Sequence, residues 1–126
     1  MISKQEILMG REIAFPLNIE QLDNLNKLLI AVNKLRTYYG KSMIVSSGYR
    51  PAEINAKIKG AAKKSNHMIC AAIDFKDTDR SIAKFCNDNL NILEDCGLWM
   101  EDSDSTPTWV HVQIYPPKSG KRVFKP

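Results

Sequence analysis

The spacing of apolar positions changes along the chain, and each change marks an element. Residues 2–17 carry a thin pattern, Ile7, Leu8 and Ile13, broken by Gly10 and closed by Phe15-Pro16. It predicts a short helix or turn and then an extended lead-in. Asn18 can cap the free amides of a following helix, with Gln21 at the capping-box position. Leu22, Leu25, Leu29 and Val32 follow at helical spacing, and Leu28 and Leu35 widen the stripe. The helix is expected to reach Tyr39 and stop at Gly40, which suits a left-handed cap.

Ser42 to Ser47 reads as a strand, broken by Gly48-Tyr49-Arg50-Pro51. Pro51 fits the first turn of a short helix over Ala52 to Ile58, with Ile54 and Ile58 inward and Gly60 ending it. Ala61 to Asn66 is a polar, basic loop that reads as the rim of a site. Ile69 to Phe75 is a near-continuous small and apolar run, the pattern of a buried strand. One helix is expected from about Asp79 to Leu93, capped by Asp77 or Thr78, with Ile82, Phe85, Cys86 and Leu93 inward. Leu98 to Glu101 and Trp109 to Tyr115 flank a turn-rich loop and read as a β-hairpin. Pro116-Pro117 ends the sheet, and Lys118 to Pro126 reads as a free basic tail. The sum is an α+β fold: a small, mostly antiparallel sheet packed with helices, in one domain spanning 1–126.

Composition narrows the class. A chain of 126 residues suits one core, and 44% hydrophobic with 25% charged residues is the balance of an ordinary globular protein. No apolar run approaches the ~20 residues of a membrane span. Met1 to Glu6 lacks a basic region followed by an apolar segment, so no secretory signal is expected. The net charge of +4 favours anionic partners, such as nucleic acid or an acidic cell wall. The basic residues lack aromatic interleaving, which argues against nucleic acid. The three cysteines, Cys70, Cys86 and Cys96, are odd in number and without CxxC spacing, so packed thiols are expected rather than disulfides or a thiol metal site.

The candidate chemistry lies beside two of the strands. The only two histidines, His67 and His111, each adjoin an apolar run, and Asp74 stands at the far end of the first run. Two imidazoles and a carboxylate are a three-ligand set for a hydrolytic zinc ion with one position left open. A carboxylate inside a buried strand is costly without a cation, although Asp74 could instead end the strand facing water or cap the next helix.

Further motifs stand in a fixed order: Ser46-Ser47-Gly48-Tyr49-Arg50, Glu53-Ile54-Asn55, Ser65-x-His67 leading to Ala72-x-Asp74, and Trp109-Val110-His111-Val112. Over about residues 15–115 this resembles the zinc D-Ala-D-Ala carboxypeptidase family, peptidase family M15, in its compact phage and bacterial branch. The resemblance implies a hedgehog/DD-peptidase-like fold, Zn2+ on His67, Asp74 and His111, and peptidoglycan peptide as substrate. It also implies that Arg50 binds a substrate carboxylate or carbonyl, with Tyr49 beside it, and that Ser65 steadies the His67 loop.

Two positions depart from the pattern. Cys70 stands where the family has Gly, and a Cys fits poorly where φ is positive. Thr108 stands where many members carry a catalytic Glu. The branch implied here carries its acid on the preceding strand, which points to Glu101, then Asp102, then Asp104. The competing reading is a virion or tail component that keeps the fold for assembly or wall binding, with other virion proteins as partners.

Overall fold

The computed structural model describes residues 1–126. Its strands are β1 (Val45–Ser47), β2 (Ala72–Lys76), β3 (Trp99–Glu101), β4 (Trp109–Gln113) and β5 (Val123–Phe124). They form one sheet in the order β1-β2-β4-β3-β5. The first three pairings are antiparallel and β3–β5 is parallel. The α+β build therefore holds, with one strand more than the sequence suggested.

Period-two alternation gives the sheet two chemically distinct faces. Ile73, Phe75, Met100, Val110 and Val112 are fully or almost fully buried and belong to the hydrophobic core. The other face carries Asp74 opposite His111 and Ala72 opposite Gln113. One stretch of backbone thus fills the core and presents the candidate ligands at once.

Helices supply the rest of the core. They are α1 (Lys4–Leu8), α2 (Ile19–Tyr39), α3 (Ala52–Asn55), α4 (Ser81–Asp88) and α5 (Leu90–Cys96). Helix α2 starts and ends as expected: Asn18 and Gln21 form a reciprocal capping box, and Gly40 closes it at φ 76°. Its inner face keeps most of the predicted stripe and departs from it at the first turn. Leu22 is exposed, while Asn24 is buried beside Leu25, Leu28, Ala31, Val32 and Leu35. Asn24 tolerates burial because its amide donates to the Ile69 carbonyl and its Oδ1 accepts from the Tyr115 hydroxyl.

Several expected boundaries moved. The 42–47 strand shrinks to Val45–Ser47, and the helix after Pro51 ends at Asn55, leaving Ile58 partly exposed rather than inward. The run from Ile69 is not all strand: Asn66–Ile69 forms a 3-10 turn, and Cys70 closes it at φ 59° before β2 begins. The single helix expected over 79–93 breaks at Asn89 into α4 and α5. Asp77, one of the two caps expected, accepts from the amides of Ile82 and Ala83 at 2.9 Å each. The C-terminal segment is not a free tail, since Val123–Phe124 adds to the sheet edge as β5.

Candidate metal centre

His67 is placed by the 3-10 turn. Ser65 accepts the His67 amide at 3.1 Å, the role expected for it, and the buried imidazole reaches Asp74 of β2. Its Nδ1 lies 2.8 Å from the Gly48 carbonyl oxygen. A carbonyl can only accept, so Nδ1 carries the proton and Nε2 presents a lone pair. Gly48 must lack a side chain to hold that carbonyl there, because a Cβ would collide with the Ile7 backbone.

The strand register places the other two groups. Asp74 and His111 are directly paired across β2 and β4. His111 Nδ1 lies 2.9 Å from Asp74 Oδ1, and His67 Nε2 lies 3.2 Å from the same oxygen. The other His111 nitrogen, Nε2, is 2.8 Å from Gln113 Oε1. The Gln113 amide is oriented by its Nε2, which donates to the Tyr115 carbonyl at 2.8 Å. Gln113 Oε1 is therefore an acceptor, His111 Nε2 the donor, and His111 Nδ1 the free lone pair.

Three acceptor atoms from His67, Asp74 and His111 thus converge within 4.8 Å of one another. His67 Nε2 is buried and has no hydrogen-bond partner in the chain. Facing lone pairs repel unless a proton or a metal ion lies between them. With the outward nitrogens of both histidines already bonded to carbonyl oxygens, the inward atoms have the tautomers a divalent ion requires. Two imidazoles and one carboxylate form an open three-ligand set, and the residues fit a metal ion.

Charge follows the same geometry. Burial pushes the Asp74 carboxyl up, but the adjacent His111 and His67 imidazoles, whenever either takes up a proton, outweigh it and hold the group well below the usual carboxylate range. Burial lowers His67, whereas His111, also pulled down by burial, ends above its ordinary value through its bond to Asp74. A proton therefore occupies His111 at a pH above the ordinary histidine value of 6.5, and it competes with a metal for Nδ1. Apparent metal affinity is expected to fall about tenfold per pH unit once the pH drops below the His111 pKa, with the decline starting above 6.5. Competition with a chromophoric chelator between neutral and acidic pH measures this; a flat affinity across that window contradicts it.

The trio lines a cleft of about 430 Å³. Arg50, Lys59, Lys64, Ser65, Glu101, Trp109, Gln113 and Phe124 are among its lining residues. Glu101 and Asp74 are the only acidic side chains that line it. The β3–β4 register, Trp99 with Gln113 and Met100 with Val112, brings Glu101 opposite His111 at the next step of the ladder. Burial raises Glu101 above the ordinary glutamate value, against the pull of His111 and with help from Asp74 and Asp102. Arg50 also faces the cleft, with a buried Nε that has no partner in the chain. It is the fixed cation available to an anionic ligand.

Not every expected site residue reaches the cleft. Tyr49 is buried in the core, its hydroxyl donating to the Phe15 carbonyl, because it points away from its neighbour Arg50. Tyr49 is therefore a packing residue, not a substrate contact. Asp102 lies past the end of β3 in a separate crevice with Ser119, Lys121, Val123, Phe124 and Lys125, and its Oδ1 accepts the Asp104 amide at 3.4 Å. Asp104 is exposed in the turn. Thr108 is exposed too, and its carbonyl accepts the Asp77 amide at 2.9 Å. Cys70 is a packed thiol, pushed up to about 12 by burial, and is not among the converging groups.

Gln113 was not foreseen. Its only signal in the sequence is its position two residues beyond His111 on an alternating strand, the same side of the sheet. Gln113→Leu is expected to weaken metal binding by about 10–100-fold with the fold retained, the usual loss when the partner that orients a ligand histidine is removed. Chelator competition reads it out. An affinity equal to wild type shows that packing alone holds the ring.

A largely enclosed His-Asp-His trio with oriented tautomers, beside Glu101 and Arg50 in one cleft, is an arrangement that could hold a metal ion. A family model described as Peptidase M15 matches residues 6–113, and the chain belongs to that peptidase family. No curated protein and no solved structure matches the chain. No helix is long and apolar enough to cross a membrane.

Proposed function

We propose that this protein is a zinc peptidase that hydrolyses the stem or cross-link peptides of peptidoglycan, as a D-Ala-D-Ala carboxypeptidase or an endopeptidase. The observation that carries the reading is the single acidic side chain in the cleft outside the trio, Glu101, placed across the strands from His111. A divalent ion held by His67, Asp74 and His111 supplies Lewis acidity, and the mixed nitrogen and oxygen donors suit zinc.

The chain's own groups divide the remaining work. Glu101, with its raised proton affinity, takes a proton from the attacking water and returns it to the leaving amine. Arg50 pairs with a substrate carboxylate or carbonyl, and its unpartnered Nε supports that role. The net charge of +4 favours approach to an anionic wall.

The test is incubation of the purified, zinc-supplemented protein with peptidoglycan and with acyl-D-Ala-D-Ala peptides. Release of D-alanine or of shortened cross-links is the expected result. Stoichiometric zinc without any cleavage overturns the reading and favours a role in virion assembly or wall binding.

A further inference from the structure

The family match ends at residue 113, yet the chain beyond it returns to the cleft. The Met100 amide donates to the Arg122 carbonyl at 2.8 Å, and the Asp102 amide to the Phe124 carbonyl at 2.6 Å. The Arg122 guanidinium stacks 4.3 Å from the centre of the Trp99 ring and donates to the Leu98 carbonyl. These contacts fasten the segment along the strand that carries Glu101.

What the segment presents there is aromatic. The Phe124 ring meets His111 edge-on, with centroids 6.4 Å apart, and Phe124 and Pro126 both line the cleft. Arg50, Lys59, Lys64 and Ser65 line it as well and are polar or cationic. Phe124 remains only partly buried, so apolar ring surface is left available beside a ligand histidine. Ile58 and Trp109 line the cleft too, but Phe124 is the apolar side chain whose ring is in contact with a ligand histidine, and its open aromatic face fits an aliphatic group of the bound molecule.

We infer that Phe124 is a specificity-determining residue: its ring is the apolar wall against which a small aliphatic side chain flanking the scissile bond packs, while the anionic end of the peptide faces the basic side. The inference rests on the peptidase reading and adds a subsite outside the matched family region. The methyl of an alanine is the size of group that would gain from such a wall.

The test compares acyl-D-Ala-D-Ala with acyl-D-Ala-Gly and acyl-Gly-D-Ala, peptides that each lack one methyl. Phe124→Ala should lower the preference in kcat/KM for an alanine over a glycine peptide by about four- to tenfold, mostly through KM. Metal content should stay at the wild-type level. An unaltered preference, or equal losses on all three peptides, overturns the inference. Should Phe124→Ala detach the segment, seen as a shift in tryptophan emission as Arg122 leaves Trp99, Phe124→Leu decides: retained preference supports the apolar wall and lost preference overturns it. Should the wild type cleave none of these peptides, the carboxypeptidase form of the reading fails by itself, and only cross-link cleavage of peptidoglycan keeps the endopeptidase form. Calorimetric binding of the same peptides to the zinc-loaded protein then decides the wall, with Phe124-dependent preference supporting it and no such preference overturning it.

Discussion

Replacing His67 with alanine is expected to weaken metal binding by about 100-fold. Its Nε2 is one of three converging donors and has no other partner in the chain. Structural zinc sites gain about 10–16 kcal/mol from four ligands, so one ligand accounts for about 3 kcal/mol, or about 100-fold in affinity. His67 is also buried, and its removal leaves the Gly48 carbonyl without the imidazole N–H, costing a further ~1–3 kcal/mol of fold stability. The two losses separate experimentally. Metal raises the melting temperature of the wild type by mass action. At the same metal concentration it should raise that of His67→Ala far less, whatever the starting value. Metal content after dialysis gives the direct readout, and His111→Ala should behave alike. Wild-type metal content in either variant would show that the ion, if any, binds elsewhere.

Glu101→Gln should leave metal binding intact and lower kcat by about 10²–10⁴-fold, the usual contribution of a positioned proton-transfer group. The substitution preserves shape, so a folding defect is not expected. It removes only the group that can accept and release a proton in the cleft. Asp102→Asn and Asp104→Asn serve as internal comparisons, since one side chain lies in a separate crevice and the other in an exposed turn. Both should keep wild-type turnover. Activity of Glu101→Gln within about threefold of wild type would remove this residue from the chemistry, because so small a change lies below the range of general acid–base catalysis. The Thr108 side chain could not take its place: Thr108 is exposed outside the cleft, and a hydroxyl is a poor base at neutral pH.

Where the sequence reading went astray, local pattern was overruled by partners distant in the chain. Leu22 belonged to a good helical stripe, but Asn24 took the inner face because Ile69 and Tyr115 supply its hydrogen bonds. The Ile69–Phe75 run looked like continuous strand. Cys70 instead adopts φ 59°, the left-handed region that costs a non-glycine residue about 1–2 kcal/mol, so that the 3-10 turn can aim His67 at Asp74. The C-terminal segment read as free because its basic residues show no periodicity. Its pairing with β3 is visible only once β3 has become a sheet edge.

The candidate ligands His67, Asp74 and His111 and the α+β class were legible in residue type and alternation, Glu101 and Arg50 in the order of the motifs and the family they resemble, and a period of two assigns Asp74, His111 and Glu101 to one face. Gln113 and the Gly48 carbonyl as the orienting partners, the removal of Tyr49 and Asp102 from the site, and the arrival of Phe124 at its edge were decided by tertiary structure alone. Each depends on a contact between residues whose separation in the chain, or whose direction at a strand end, carries no local signal. Such contacts exist only after the sheet has set its register.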